Sequence, residues 1–164
     1  MTIKQAVFAG SSERLEDRPK ARYPEFAFIG RSNVGKSSLI NCLCNNSSLA
    51  HTSATPGKTQ VVNHFLIKDK WYLVDLPGYG YARMGRKGRE KLSKMIHNYV
   101  KGSEEMVLLF VLLDSRHDLQ KIDLEFLIML GEEGIPFSIV YTKADKSGSG
   151  ALAAQIEKNN SALL

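Results

Sequence analysis

From residue 25 onward the chain alternates between short apolar runs and stretches in which apolar residues recur every three or four positions. Phe26, Ala27, Phe28 and Ile29 form a continuous apolar run that stops at Gly30, which predicts a buried strand. Over residues 36–44, Leu39, Ile40 and Leu43 recur at helical spacing. Residues 61–68 and 71–76 read as two strands around a tight turn at Asp69 and Lys70, hence an antiparallel pair. A helix follows over 89–101. The run 106–113 is apolar at every position, as in a parallel strand covered on both faces. Residues 118–130 read as an amphipathic helix carrying Leu119, Ile122, Phe126, Met129 and Leu130, 136–141 as a strand and 151–160 as a helix. This alternation predicts an α/β fold, an open and mostly parallel sheet with helices on both faces. Three segments break the pattern. Residues 1–22 mix short apolar pieces with charges and read as an N-terminal arm ahead of a domain over 23–164. Residues 45–60, rich in Ser, Thr and Asn, read as a long loop of functional interest, and 78–88 as a glycine-studded loop.

Composition narrows the class. With 164 residues, 43% hydrophobic and 24% charged, the chain fits one globular domain and excludes wholesale disorder. The run 106–113 is too short for a bilayer, which takes about 20 residues. The opening residues hold neither a signal peptide nor a lipidation motif. A cytoplasmic protein with no membrane partner, and a monomer, is expected. The net charge of +5 favours contact with polyanions without establishing it. Cys42 and Cys44, two apart on a helix, face different ways and are expected as reduced thiols. His51, His64, His97 and His117 are scattered without ligand spacing.

Three motifs carry chemistry. Gly30, Arg31, Ser32, Asn33, Val34, Gly35, Lys36 and Ser37 fit G-x-x-x-x-G-K-[ST], with a strand before and a helix after. Such a loop wraps phosphates with backbone N–H groups, its lysine sits over the β and γ phosphates, and its serine hydroxyl faces Mg²⁺. Asp75, Leu76, Pro77 and Gly78 follow an apolar strand, which places a carboxylate at the metal's water shell and a glycine N–H within reach of a γ-phosphate. Thr142, Lys143, Ala144 and Asp145 close another strand. A carboxylate there accepts from guanine N1–H and the 2-amino group and would stand unpaired against adenine. The Lys143 stem is long enough to lie along the base. In the long loop, Thr55, Pro56, Gly57, Lys58, Thr59, Gln60 and then Val61 precede the second strand, and Thr59 is the candidate to complete the Mg²⁺ shell.

Together, G-R-S-N-V-G-K-S-S ending at Ser38, T-P-G-K-T-Q, D-L-P-G-Y-G-Y-A and T-K-A-D resemble the EngB/YihA family of bacterial GTPases, within the TrmE-Era-EngA-YihA-septin group. The resemblance covers about residues 20–155. It implies a Ras-like fold with the second strand antiparallel. It also implies GTP and GDP binding by these segments, and GTP hydrolysis with Mg²⁺ held by Ser37 and Thr59, beside the Asp75 carboxylate already read at the metal. Lys36, Thr59, Gly78 and Asn33 are then the catalytic candidates. Assistance to large ribosomal subunit assembly, with ribosomal RNA or a precursor subunit as partner, and a link to cell division and septation come from the resemblance alone. The family pattern runs on through a further strand, a guanine-contacting Ser-Ser or Ser-Ala motif and a closing helix. Ser161-Ala162 stands too close to Asp145 to be that motif, so the last strand and helix are expected to be missing. Tyr79 stands where many GTPases carry a water-orienting Gln, so hydrolysis is organised otherwise. Asn33 stands where potassium-stimulated members of the group carry Asn, which points to K⁺ beside Mg²⁺. Arg83, Arg86, Lys87, Arg89, Lys91, Lys94 and Lys101, with Tyr81 and Tyr99 nearby, read as an RNA-facing patch or a solvated helix face. A nucleotide-holding module with little hydrolysis is the rival reading, and T-K-A-D disfavours a kinase or ATPase.

Overall fold

A computed structural model, describing residues 3–50, 60–80 and 84–164, joins six strands in one sheet. They are β1 (Ala6–Ser12), β2 (Glu25–Gly30), β3 (Val62–Ile67), β4 (Trp71–Asp75), β5 (Met106–Asp114) and β6 (Phe137–Thr142). Across the sheet the order is β1-β3-β4-β2-β5-β6. β4, β2, β5 and β6 are parallel, whereas β3 runs against both β1 and β4. The α-helices among the described residues are α1 (Lys36–Leu43), α2 (Arg86–Gly102), α3 (Lys121–Glu132) and α4 (Ser149–Ser161). The predicted α/β sheet and its antiparallel second strand are both present.

Strand periodicity divides the core. Ala27, Ile29, Val74, Leu76, Val111 and Leu113 point to the face where Leu92, Ile96 and Val100 of α2 and Leu127 and Leu130 of α3 pack. Their neighbours Phe28, Leu73 and Leu112 point to the other face, against Ile40 of α1 and the half-buried Leu39 and Leu43. The side chains of β2, central in the sheet, are covered on both faces, which is why its sequence shows no alternation. In β5 this holds only from Leu109 onward, since Val107 near the strand's start is 51% exposed.

The N-terminal arm is corrected in part. Ala6–Ser12 is the outer strand of the sheet, paired from Ala6↔Ile67 to Ser12↔Val62. Val7 and Phe8 remain more than half exposed. An outer strand held by backbone pairing, with Phe8 resting on Phe65 at a centroid distance of 5.9 Å, needs no dense apolar run and gives little signal. Cys44 is buried beyond the end of α1 and Cys42 exposed, and both are free thiols.

At the edge of the sheet where β2 begins, Glu25 is the centre of a buried polar network. Its carboxylate accepts from His64 Nε2 at 2.6 Å, Ser103 Oγ at 2.5 Å, Tyr99 Oη at 3.0 Å and Arg18 Nη1 at 3.3 Å. Arg18 also reaches Glu105 at 3.0 Å. The segment after β1, the end of α2 and strand β3 are thereby tied to one carboxylate. Burial works to raise the Glu25 pKa, but the hydrogen bonds from His64, Ser103 and Tyr99 outweigh it and hold the carboxyl below its ordinary 4.5. Because the folded value lies below the unfolded one, this stabilisation is full above pH 4.5 and is lost as pH falls through the folded value. Glu25→Ala should cost about 3–5 kcal/mol in urea unfolding, since His64 would lose its buried partner and Arg18 one of its two. The variant should also lose part of the parent's acid dependence. An unfolding curve matching the parent's at both pH 7 and pH 4 would contradict the role given to Glu25.

Candidate functional site

The parallel strands β4, β2, β5 and β6 all end at one sheet edge, and each supplies part of a single site. β2 runs into the loop 31–35, β4 ends in Asp75, β5 in Asp114 and β6 in Thr142. The register Asn63↔Asp75 brings the start of β3 to the same edge, with Val61 and Gln60 just before it. Gly57, Lys58 and Thr59 lie outside the described residues.

The loop is a turn that side chains obstruct. A Cβ on Gly30 would stand 2.9 Å from the Leu112 carbonyl oxygen, and Gly35 has φ of 101°, a left-handed conformation. Five of its carbonyls are taken by the protein. The Gly30 oxygen accepts from Tyr79 N–H at 3.1 Å, Arg31 from Val34 N–H and Gly35 from Leu39 N–H. Thr142 Oγ1 donates to the Val34 oxygen at 2.7 Å, and Lys143 Nζ to the Asn33 oxygen at 3.0 Å. The N–H groups of Asn33, Gly35, Lys36 and Ser37 have no such partner among the described residues. They lie at the N-terminus of α1, where the helix dipole adds positive potential. Such an arrangement binds an anion.

Lys36 donates to Asp75 Oδ1, with both side chains largely buried. The loop's lysine and the strand-end carboxylate therefore share one spot. Ser37 is half-buried, while Asn33 and Ser38 are exposed. Asp145, in a 3₁₀ turn after β6, has a side chain 73% exposed, 3.4 Å from Lys146. Leu76, Pro77 and Gly78 are buried against the loop, with Leu76 N–H bonded to the Phe28 oxygen at 3.0 Å.

Comparison with known proteins decides the family. Residues 25–143 match the family described as 50S ribosome-binding GTPase. A probable GTP-binding protein EngB of Porphyromonas gingivalis is 57% identical over 164 residues, all of this chain and 82% of that one. The chain belongs to the EngB family of GTP-binding proteins. The Bacteroides fragilis EngB is 58% identical over 156 residues, 95% of this chain and 78% of its own. A crystal structure of a probable GTP-binding protein EngB superposes with a TM-score of 0.62 at 25% identity, covering 85% of this chain and 84% of that one. The GTPase Era, solved with MgGDPNP and a 16S ribosomal RNA segment, shares the fold with a TM-score of 0.63 at 19% identity, over 86% of this chain and 47% of its own. The chain is thus a GTP-binding protein with a GTPase domain.

Sequence reasoning missed two members of this EngB site. Asp114 lies under Lys143 at 3.3 Å and takes two guanidinium bonds from Arg116 at 3.0 and 2.8 Å. Arg116, then Lys143, hold its carboxyl far below the usual range, despite partial burial. An acid ending an apolar strand was the available signal, the same one that marks Asp75. The other is Asp123 of α3. Tyr79, in the place of the water-orienting Gln, turns its phenol away from the loop and donates to Asp123 Oδ1 at 2.9 Å. Burial, then the Asp123 charge, push the Tyr79 pKa far up and keep it protonated. The Lys143 amine is engaged by the loop and Asp114, while its stem passes Gly35.

Thr142→Val tests the carbonyl anchoring. Losing one hydrogen bond worth about 1 kcal/mol should weaken GDP binding about fivefold, read by calorimetry, with little change in Tm. Unchanged affinity would show that the Val34 oxygen needs no anchor.

Proposed function

We propose that this GTPase binds GTP and GDP at the 30–38 loop and acts as a switch in large ribosomal subunit assembly. The observation that carries the nucleotide reading is the division of the loop into bonded carbonyls and free N–H groups. The α and β phosphates lie on the N–H groups of Asn33, Gly35, Lys36 and Ser37, and Lys36 neutralises the β and γ phosphates. To do so Lys36 leaves Asp75. That frees a carboxylate which, with the hydroxyls of Ser37 and Thr59, offers the hard oxygen donors Mg²⁺ takes. The ion would supply charge neutralisation at the β and γ oxygens. Gln60 and Val61 approach the nucleotide from the start of β3. Gly78 offers its N–H to the γ-phosphate. Lys143 lays its stem along the guanine, and Asp145, exposed at the rim, accepts from the base edge. Asp145→Asn should move preference from GTP toward xanthosine triphosphate, and unchanged GTP affinity would remove Asp145 from the base.

The ribosomal partner is supported by α2. Lys87, Lys91, Lys94 and Lys101, at spacings of four, three and seven, line one exposed stripe, while Leu92, Ile96, Tyr99 and Val100 bury the opposite face. Tyr99 points inward to Glu25, so it offers no stacking surface. Lys91 pairs with Glu13, Arg86 with Glu90 and Lys101 with Glu133. Lys87, Arg89 and Lys94 carry no ion pair among the described residues. Their charges are open to RNA phosphates, and α2 begins six residues after Gly80. The Asn33 side chain, exposed at the loop, offers an oxygen to K⁺, whose charge would assist the transition state. Cytoplasmic residence and a role in division and septation rest on the family resemblance.

Charge reversal at Lys87 and Lys94 should weaken binding to 50S subunits and lower the log–log salt slope by about two, one per lost phosphate contact. GTP turnover on those subunits should be faster in KCl than in NaCl at equal ionic strength. Equal slopes for variant and parent would return the stripe to a solvated face, and equal turnover in the two salts would exclude potassium.

A further inference from the structure

The 76–80 segment is fastened at two levels. Its backbone bridges the phosphate loop, with Tyr79 N–H on the Gly30 oxygen at 3.1 Å and Ser32 N–H on the Tyr79 oxygen at 3.2 Å. Gly78 lies so close that a Cβ there would stand 3.1 Å from the Gly30 oxygen. Beyond the loop, the Tyr79 side chain is 7% exposed, its ring packs on Phe126 at 4.9 Å, and its hydroxyl is bonded to Asp123. Asp123 is itself fixed, because its other oxygen accepts the Gln120 N–H at 3.1 Å at the start of α3. With 4% exposure, its carboxylate sits where a lost partner is costly.

We infer that Asp123, acting through Tyr79, is a positioning residue that holds the 76–80 segment down on the phosphate loop and so weighs against GTP relative to GDP. The inference rests on the nucleotide reading of the 30–38 loop. A γ-phosphate has to enter between that loop and Gly78 and turn the Gly78 N–H toward itself. GDP brings no group to that place and leaves the bridge standing. The Tyr79–Asp123 bond therefore opposes the γ-phosphate specifically, while contributing to the stability of both forms. It also assigns Tyr79 a task different from that of the Gln it replaces, since it acts on the position of the segment rather than on the attacking water.

The test is the ratio of dissociation constants for GDP and a non-hydrolysable GTP analogue, measured with Mg²⁺ on the full chain. Tyr79→Phe removes the hydroxyl and keeps the ring, so GTP-analogue affinity should rise about threefold to tenfold relative to GDP. Asp123→Ala should move the ratio the same way. Phe126→Leu loosens the packing but leaves the O–H bond. It should lower Tm and hold the ratio within twofold of the parent. A parent protein that bound neither nucleotide would defeat the nucleotide reading and this inference with it. A parent that binds both, with an unchanged ratio in Tyr79→Phe and Asp123→Ala, would overturn the positioning role alone. So would a ratio that rises equally in Phe126→Leu.

Discussion

A loop that offers its N–H groups to an anion must dispose of its carbonyl oxygens, and the site is arranged around that requirement. The carbonyls of Gly30, Arg31, Asn33, Val34 and Gly35 all accept hydrogen bonds from the protein. The donors come from three directions. Tyr79 lies beyond β4, Thr142 and Lys143 end β6, and Leu39 and Val34 are local. With the oxygens turned to these partners, the remaining N–H groups converge at the start of α1, where the helix dipole has the same sign. The T-K-A-D segment thus has a structural task. Two of its side chains fix the loop, while Asp145 stays exposed.

α2 is anchored at its far end. One end of that helix, at Arg86, lies six residues after Gly80. The other is bonded through Tyr99, with Ser103 just beyond it, to Glu25, in the network that also holds Arg18 and His64. β3 joins the same network at His64 and begins at the nucleotide edge beside Asp75. The network thus gathers α2, β3 and the segment after β1 on one buried carboxylate. That carboxylate is stabilising only while its donors remain in place.

Much of this was legible in the sequence because the relevant contacts are local. The phosphate loop follows its strand directly, and Asp75, Gly78 and Thr142 sit at strand ends whose apolar runs are plain. The antiparallel β3–β4 pair follows from the same runs and from the tight turn at Asp69 and Lys70. What escaped depends on partners distant in the chain. Glu25 and His64, Tyr79 and Asp123, and Asp114 and Lys143 are charged or polar residues whose meaning appears only once the sheet brings them together. A single buried acid beside an apolar run has no periodicity to announce it. β1 escaped for the opposite reason, since an outer strand with Val7 and Phe8 left exposed is held by backbone bonds and leaves a weak pattern.

The division of the loop into bonded carbonyls and free N–H groups is the central claim, and residue-resolved amide hydrogen exchange with and without Mg²⁺ and GDP tests it most directly. Protection should rise sharply at Asn33, Gly35, Lys36 and Ser37. Ser32 and Val34, whose N–H groups are already bonded to the Tyr79 and Arg31 oxygens, should change little. Equal gains across residues 30–38, or none at those four amides, would contradict it.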